Sequence, residues 1–289
     1  MSKANTSRLF SDVKFLTELR PFRNYQNLDS LKQVVEYVKN EFIQAGLEVK
    51  EQKWEASGEE YTNVIGVYNG GKSKRLIVGA HYDVAGDQPG ADDNASAVAG
   101  LLESVRLIGE NQPELDYAIE FVAYCLEEPP FFGTKDMGSH VHAKSLYDEK
   151  ADVIGMICYE MIGYFSDEPN SQKYPSPVLE DLYPSTANFI MVVGVEEYDV
   201  FNKKVHKLMS ENSDIDVQVI SFDTGGDLAG LSDQRNYWKF GFQALMINDT
   251  SFIRNPNYHK SSDTIETLDF PKMTEVINGT YNAMININD

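Results

Sequence analysis

The sequence predicts an α/β fold, a single-domain, three-layer structure in which a mixed, mainly parallel central sheet is flanked by helices. Strand-like and helix-like segments alternate along most of the chain, the pattern of parallel strands joined by crossover helices. Runs such as "RLIVGAHYD" and "YAIEFVAYCLEE" are apolar almost throughout, as strands covered on both faces are. A length of 289 residues, 42% of them hydrophobic, is enough for one full core. A single domain is therefore expected over residues 1–289, with 1–27 as a lead-in segment.

Element by element, "LDSLKQVVEYVKNEFIQAGLEV" places Leu31, Val34, Val35, Val38 and Phe42 at helical spacing, with Gly46 as a stop. "TNVIGVYNGG" and "RLIVGAHYD" follow as strands separated by a glycine turn. Val98, Leu101, Leu102, Val105 and Ile108 share one face of a helix in "ASAVAGLLESVRLIG". The alternation continues with "YAIEFVAYCLEE" as strand, "MGSHVHAKSLYDEK" as helix and "DVIGMICYEMIG" as strand. A Pro/Ser/Tyr-rich stretch then precedes "NFIMVVG" as strand, "YDVFNKKVHKLMSE" as helix, "DVQVISF" and "QALMIND" as strands, and a last helix from about Pro271.

The formal net charge is -20, with 45 acidic against 25 basic residues, which disfavours nucleic acid and anionic membrane surfaces as partners. No run approaches the roughly 20 apolar residues that span a bilayer, and "MSKANTSRLFSDVKF" lacks the apolar core of a secretion signal. The expectation is a cytoplasmic protein, the alternative a secreted one whose leader has been removed; oligomeric state is left open. Cys125 and Cys158 fall in apolar strand candidates and are read as small core residues, not as a disulfide framework.

Ligands of parallel sheets gather outside the carboxyl ends of the strands. His81 and Asp83 follow one strand candidate, Glu127 and Glu128 a second and Glu160 a third; Asp249 ends a fourth, with His259 shortly beyond. The chain has no His-Glu-x-x-His helix, no Gly-x-Ser-x-Gly elbow and no phosphate loop. What remains is a set of imidazole and carboxylate donors, His81, Asp93, Glu128, Glu160 and His259, which suits zinc. Five donors are too many for one four-coordinate zinc that keeps a position open, but they suit two ions with one carboxylate shared. His140, His142 and His206 lie on helix candidates away from strand ends and are read as surface or packing residues; Asp87 and Asp92 receive no role beyond loop and turn.

In order along the chain, "AHYD", "GADDNASAVAGLLE", "LEEPPFFG" followed by "GS", "YEMIGYF" and "NPNYHKSSDT" resemble the M28 family of co-catalytic zinc exopeptidases, from about residue 28 to the C-terminus. The resemblance implies hydrolysis of terminal bonds of short peptide substrates, as in aminopeptidases, by a water held between two zinc ions per chain. It implies His81 and Glu160 on one zinc, Glu128 and His259 on the other, and Asp93 between them. Asp83 would orient His81, and Glu127 would act as general base. It also implies a cis peptide between Asp93 and Asn94. Two departures stand out: Glu160 where many family aminopeptidases carry Asp, and "SDQRNYW", in which Asp233 is followed by Gln234 where such enzymes often have His.

Tyr258 is read either as a donor to the developing oxyanion or as a wall of the pocket. Arg254 is read as a partner for a substrate carboxylate or, more simply, as half of a surface salt bridge. Residues 164–187 are expected to form an active-site loop. Three alternatives to the aminopeptidase are a carboxypeptidase or dipeptidase-type relative, a single-zinc glutaminyl cyclase, and a metal-free binding relative.

Overall fold

The structure, a computed structural model, describes residues 2–223 and 227–288. Eight strands form one sheet: β1 (Glu48–Ala56), β2 (Glu59–Tyr68), β3 (Lys74–His81), β4 (Ala118–Tyr124), β5 (Asp152–Glu160), β6 (Phe189–Val195), β7 (Asp216–Phe222) and β8 (Ala244–Asn248). Their order across the sheet is β1-β2-β4-β3-β5-β8-β6-β7. The middle four, β4, β3, β5 and β8, run parallel to one another, as do β6 and β7; β1 against β2, β2 against β4 and β6 against β8 are antiparallel.

Among the described residues eight α-helices accompany the sheet: α1 (Thr6–Glu18), α2 (Leu28–Gln44), α3 (Ala97–Asn111), α4 (Gly138–Asp148), α5 (Pro177–Leu182), α6 (Asp199–Ser210), α7 (Gln234–Trp238) and α8 (Phe270–Asn286). One layer packs Leu9 of α1, Val34 of α2, Leu101 of α3, Val205 of α6 and Met284 of α8 onto one sheet face. On the other face Ala143 and Leu146 of α4 and Tyr237 of α7 close a second core. Every residue of β4 and β6 is buried, as the apolar runs predict for strands covered on both sides. The expected three-layer α/β fold is the fold observed, and among the described residues no helix is long and apolar enough to cross a membrane.

Two elements depart from the periodicity reading. Residues 1–27 are more than a lead-in, because α1 packs Leu9, Val13 and Leu16 into the core and is capped by the Asn5 side chain, which accepts from the Ser7 and Arg8 amides. The first predicted helix ends at Gln44, next to its expected stop at Gly46, but Glu48 already begins β1, a strand the periodicity did not place. As an edge strand β1 has few buried positions and hence little apolar signal; what holds it is its antiparallel ladder to β2. Its hairpin turns on Ser57 and Gly58, both at positive φ (52° and 83°), the backbone of a two-residue turn matched to strand twist.

Three helices of the first layer are tied by Arg106 of α3, which donates to both carboxylate oxygens of Asp12 on α1 (2.6 and 2.9 Å) and to Glu41 on α2 (2.7 and 3.0 Å). Asp12 is 1% exposed, so removing the guanidinium would leave a buried carboxylate without its charge partner. Arg106→Met is expected to cost about 3–5 kcal/mol, and the double variant Arg106→Met/Asp12→Leu to recover much of it. Urea unfolding of the three proteins checks this; a single variant within 1 kcal/mol, roughly, of the wild type would contradict it.

Candidate active site

The carboxyl ends of the four central parallel strands converge. His81 is the last residue of β3 and Glu160 the last of β5; Glu127 and Glu128 lie just past β4, and Asp249 just past β8. All five are at most 6% exposed. Beyond β4 the chain turns at Leu126, whose φ of 64° is left-handed, and this redirects the two consecutive glutamates.

His81 Nε2 lies 3.2 Å from Glu160 Oε2, 3.5 Å from Asp93 Oδ1 and 3.8 Å from Glu127 Oε2. His259 Nε2 lies 3.0 Å from Asp93 Oδ2 and 3.3 Å from Glu128 Oε2. Two donor groups of metal-binding size result, His81–Asp93–Glu160 and Asp93–Glu128–His259, and they share Asp93; a third grouping joins His81, Glu127 and Glu128. The Asp93–Asn94 peptide is cis. Glu128 Oε1 is buried without a hydrogen-bond partner among the described residues, as a donor awaiting a cation would be.

Backbone amides hold the acids in place. The carboxylate of Asp83 accepts from the amides of Glu127 (3.1 Å) and Glu128 (3.2 Å), while His81 Nδ1 is 3.2 Å from the Asp83 carbonyl and 3.5 Å from its carboxylate. Asp83 thus orients the glutamate pair more closely than it orients the imidazole for which the sequence reserved it. Ser232, unnoticed in the sequence, donates to Glu160 Oε2 at 2.5 Å, and the Asn94 side chain accepts from the Met161 amide at 2.9 Å.

Asp263 was also missed. Its carboxylate accepts from the Asp92 (2.9 Å) and Asp93 (3.1 Å) amides and so aims the shared carboxylate. The only hint in the sequence was its place inside "NPNYHKSSDT". Asp92, read as loop, is fully buried, accepts from the Gly163 amide (3.0 Å) and the Asn255 side chain (2.7 Å), and sits against Asp249. Gly90 precedes it at a φ of 58°, where a Cβ would meet the Asp93 carbonyl at 2.3 Å; only glycine fits. Arg23, from the supposed lead-in, is fully buried and donates to the carbonyls of Leu16, Tyr82, Pro89 and Gly90, bracing the segment between His81 and Asp93.

The remaining sequence candidates divide. Tyr258 lines the cleft with Glu127, Glu128 and His259, and its ring stacks on His259 at a centroid distance of 3.8 Å. Arg254 is buried and, among the described residues, not ion-paired: it donates to Gln172 Oε1 (2.8 Å) and to the carbonyls of Phe189 (3.0 Å) and Tyr164 (3.3 Å), and lies over the Phe189 ring. It pins residues 164–189 in place, and its burial explains why a surface salt bridge was the wrong expectation. His142 is buried against Tyr237, His206 faces the Val217 carbonyl and His140 packs on Phe240, all outside the cluster. Asp87 is exposed, and Cys125 and Cys158 are buried free thiols.

With this geometry, the profile of peptidase family M28 matches residues 63–284. The chain belongs to peptidase family M28. The M28 chain is 40% identical to the uncharacterized protein YfbL of Escherichia coli (strain K12), over 98% of this chain and 88% of that one. It is 24% identical to a probable leucine aminopeptidase of Trichophyton verrucosum (strain HKI 0517), over 95% of this chain and 70% of that one. The crystal structure of a glutaminyl cyclase from Bacteroides thetaiotaomicron bound to N-acetylhistamine superposes with a TM-score of 0.72, covering 99% of both chains at 19% identity, which shows the shared fold.

Crowding sets the proton affinities of this M28 peptidase. Burial raises Asp233, Asp249 and Asp263 to about 7, and burial together with the Asp93 charge raises Glu128 to about 8. Burial works to lower His259, but contacts with Asp93 and Glu128 outweigh it and lift the imidazole to about 10. Each group binds its proton more tightly folded than unfolded. Their contribution to stability is complete below the unfolded-chain values, about 4 for the carboxyls and about 6.5 for the imidazole, and is lost as pH rises through 7 to 10. In chelator, the melting temperature is expected to fall between pH 6 and pH 9, roughly, and added metal to shrink that fall because bound ligands are deprotonated. A melting temperature that rises with pH in chelator would be inconsistent with the crowded site.

Proposed function

We propose that this M28 peptidase is a two-zinc aminopeptidase that releases the first residue of short peptides, preferring a large apolar side chain there. One observation carries the reading: two three-donor groups of imidazole and carboxylate share Asp93. The partnerless Glu128 Oε1 and the imidazole nitrogen of His259 beside it suit a borderline cation. His81, Asp93 and Glu160 would hold one zinc, and Asp93, Glu128 and His259 the other. The longer Glu160 is no obstacle, since its Oε2 is already 3.2 Å from His81 Nε2. When bound, zinc supplies a Lewis acid that polarises the scissile carbonyl and acidifies a water.

The chain's own groups do the rest. Burial pushes the Glu127 carboxyl well above the usual carboxylate range; as general base Glu127 would take a proton from the attacking water and hand it to the leaving amine. Asp83 keeps Glu127 facing the cleft through its amide. Burial also holds the Tyr258 phenol protonated, leaving it as a hydrogen-bond donor to the developing oxyanion.

Beside the cluster lies an apolar cavity lined by Tyr174, Leu179, Tyr183, Met191, Val193 and Met246 among others, and it shares Glu160, Leu231, Phe252 and Tyr258 with the cluster's surroundings. Residues 164–187 contribute Gln172, Tyr174, Pro175, Leu179 and Tyr183 to its wall, which supports reading them as an active-site loop. Such a cavity takes the first side chain of the peptide, and the leucine aminopeptidase relative agrees with that choice. Arg254, committed to Gln172 and two carbonyls, no longer supports a carboxypeptidase. The end-to-end likeness to a glutaminyl cyclase supports a second reading, release of ammonia from amino-terminal glutamine. The two donor groups, where a single zinc would need one, weigh against it.

Zinc is expected to saturate at two per chain in elemental analysis after dialysis; one per chain would favour the cyclase. Glu127→Gln should keep that stoichiometry and lose about 10²–10⁴-fold in kcat on leucyl peptides; full activity in this variant would sink the base assignment. Ser232→Ala, which frees Glu160 from its 2.5 Å hydrogen bond, should weaken zinc binding about 10–100-fold in a competition titration. Acetylating the peptide amino terminus should abolish cleavage.

A further inference from the structure

We propose that Arg235 forms a carboxylate-binding subsite on the leaving-group side of the cleft, so that the enzyme reads a negative charge one or two residues beyond the bond it cuts. The direction of the cleft rests on the aminopeptidase reading above. The apolar cavity opens past Leu231, Phe252 and Tyr258, whereas Pro129 and Phe132 line the cluster's cavity without reaching the apolar one. A first side chain seated in the apolar cavity therefore sends the remainder of the peptide toward Phe132.

Arg235 packs on Phe132, next to the lining of that cavity. Its guanidinium lies over the Phe132 ring, 4.6 Å from the centroid, and against the backbone at Gly133. It is half-buried and, among the described residues, has no ion-pair or hydrogen-bond partner. Lys239, one helical turn on, also lacks an acidic partner among the described residues, and its ammonium lies close enough to Arg235 to feel that charge. Two neighbouring cations without a counter-charge are conspicuous in a chain of net charge -20, where a surface arginine has acids to choose from.

Stacking on Phe132 fixes the plane of the guanidinium and reduces the side-chain freedom lost when an anion binds. Its planar fork of donors matches a carboxylate in bidentate geometry, which a lysine cannot reproduce. An extended peptide advances about 3.4 Å per residue, so a carboxylate within two residues of the cut bond stays within about 7 Å of it. The carboxylate has two sources, the free C-terminus of a dipeptide or tripeptide and an acidic side chain near the cut. The first would make Arg235 a gauge of peptide length, the second a reader of sequence.

Calorimetric titration of zinc-loaded Glu127→Gln protein at low salt separates them, using Leu-Gly-Gly against its C-terminal amide and Leu-Gly-Asp-amide against Leu-Gly-Asn-amide. At least one acid is expected to bind about tenfold more tightly than its neutral counterpart. That ratio should fall to near one with Arg235→Met added and be partly kept with Arg235→Lys, with circular dichroism melts showing that the variants fold. A ratio near one in both pairs, or one that survives Arg235→Met, overturns the proposal. Hydrolysis of Leu-Gly-Gly by the unmodified enzyme is read separately: a carboxylate preference without cleavage would discard the aminopeptidase reading and keep the subsite, and cleavage without a preference would do the reverse.

Discussion

The structure depends on one electrostatic constraint, the burial of many carboxylates in a single dry cleft of an already acidic chain. Asp83, Asp92, Asp93, Glu127, Glu128, Glu160, Asp249 and Asp263 are each at most 6% exposed. An unpaired buried carboxylate is strongly disfavoured, and this cluster has few cations near it. The solution is backbone. Asp83 takes the amides of Glu127 and Glu128, Asp263 those of Asp92 and Asp93, and Asp249 those of Tyr164 and Ser251. Loops at the carboxyl ends of parallel strands have amides to spare, which is why this edge of the sheet can carry such a cluster.

A division of labour among the acids follows. Those clamped by amides, Asp83 and Asp263, are kept off the cleft centre and act by aiming others. Those with unsatisfied oxygens or close imidazoles, Asp93, Glu128 and Glu160, face inward and supply the donors. Two buried arginines serve the same framework from opposite sides. Arg23 donates to three carbonyls of the His81–Asp93 segment and to that of Leu16 on α1, and Arg254 ties residues 164–189 to the segment that carries His259. Both spend their donors mainly on carbonyls, so their effect is to fix loop shape.

Much of this was legible in the sequence because it depends on local pattern. Apolar runs ending in His81, Glu127–Glu128, Glu160 and Asp249 announce strands of a covered sheet and mark the edge where ligands collect. The motif order identifies the family, and the paired glutamates and the spacing to His259 point to a metal site. The edge strand β1 was lost because its residues are largely exposed and its stability lies in the ladder to β2, which leaves no apolar trace. Ser232, Asp263 and Arg23 were lost for another reason. Apart from the bond of Arg23 to the Leu16 carbonyl, each acts on residues between 59 and 171 positions away, and no periodicity or short motif encodes such a partnership.

By itself, then, the sequence determined the layered fold, the family and which imidazoles and carboxylates gather at one sheet edge, since these follow from hydrophobic period and from residue type at strand ends. Only the tertiary structure decided that Asp83 serves the glutamates more than the histidine, that Arg254 is an internal brace, that Asp92 is buried, and that Arg235 stands beside Phe132 without a counter-charge among the described residues. The physical reason is that a donor's partner is chosen by distance and direction in space. Helices and strands make local spacing predictable, but the loops that converge on the cleft bring together residues whose separation along the chain says nothing about who will touch whom.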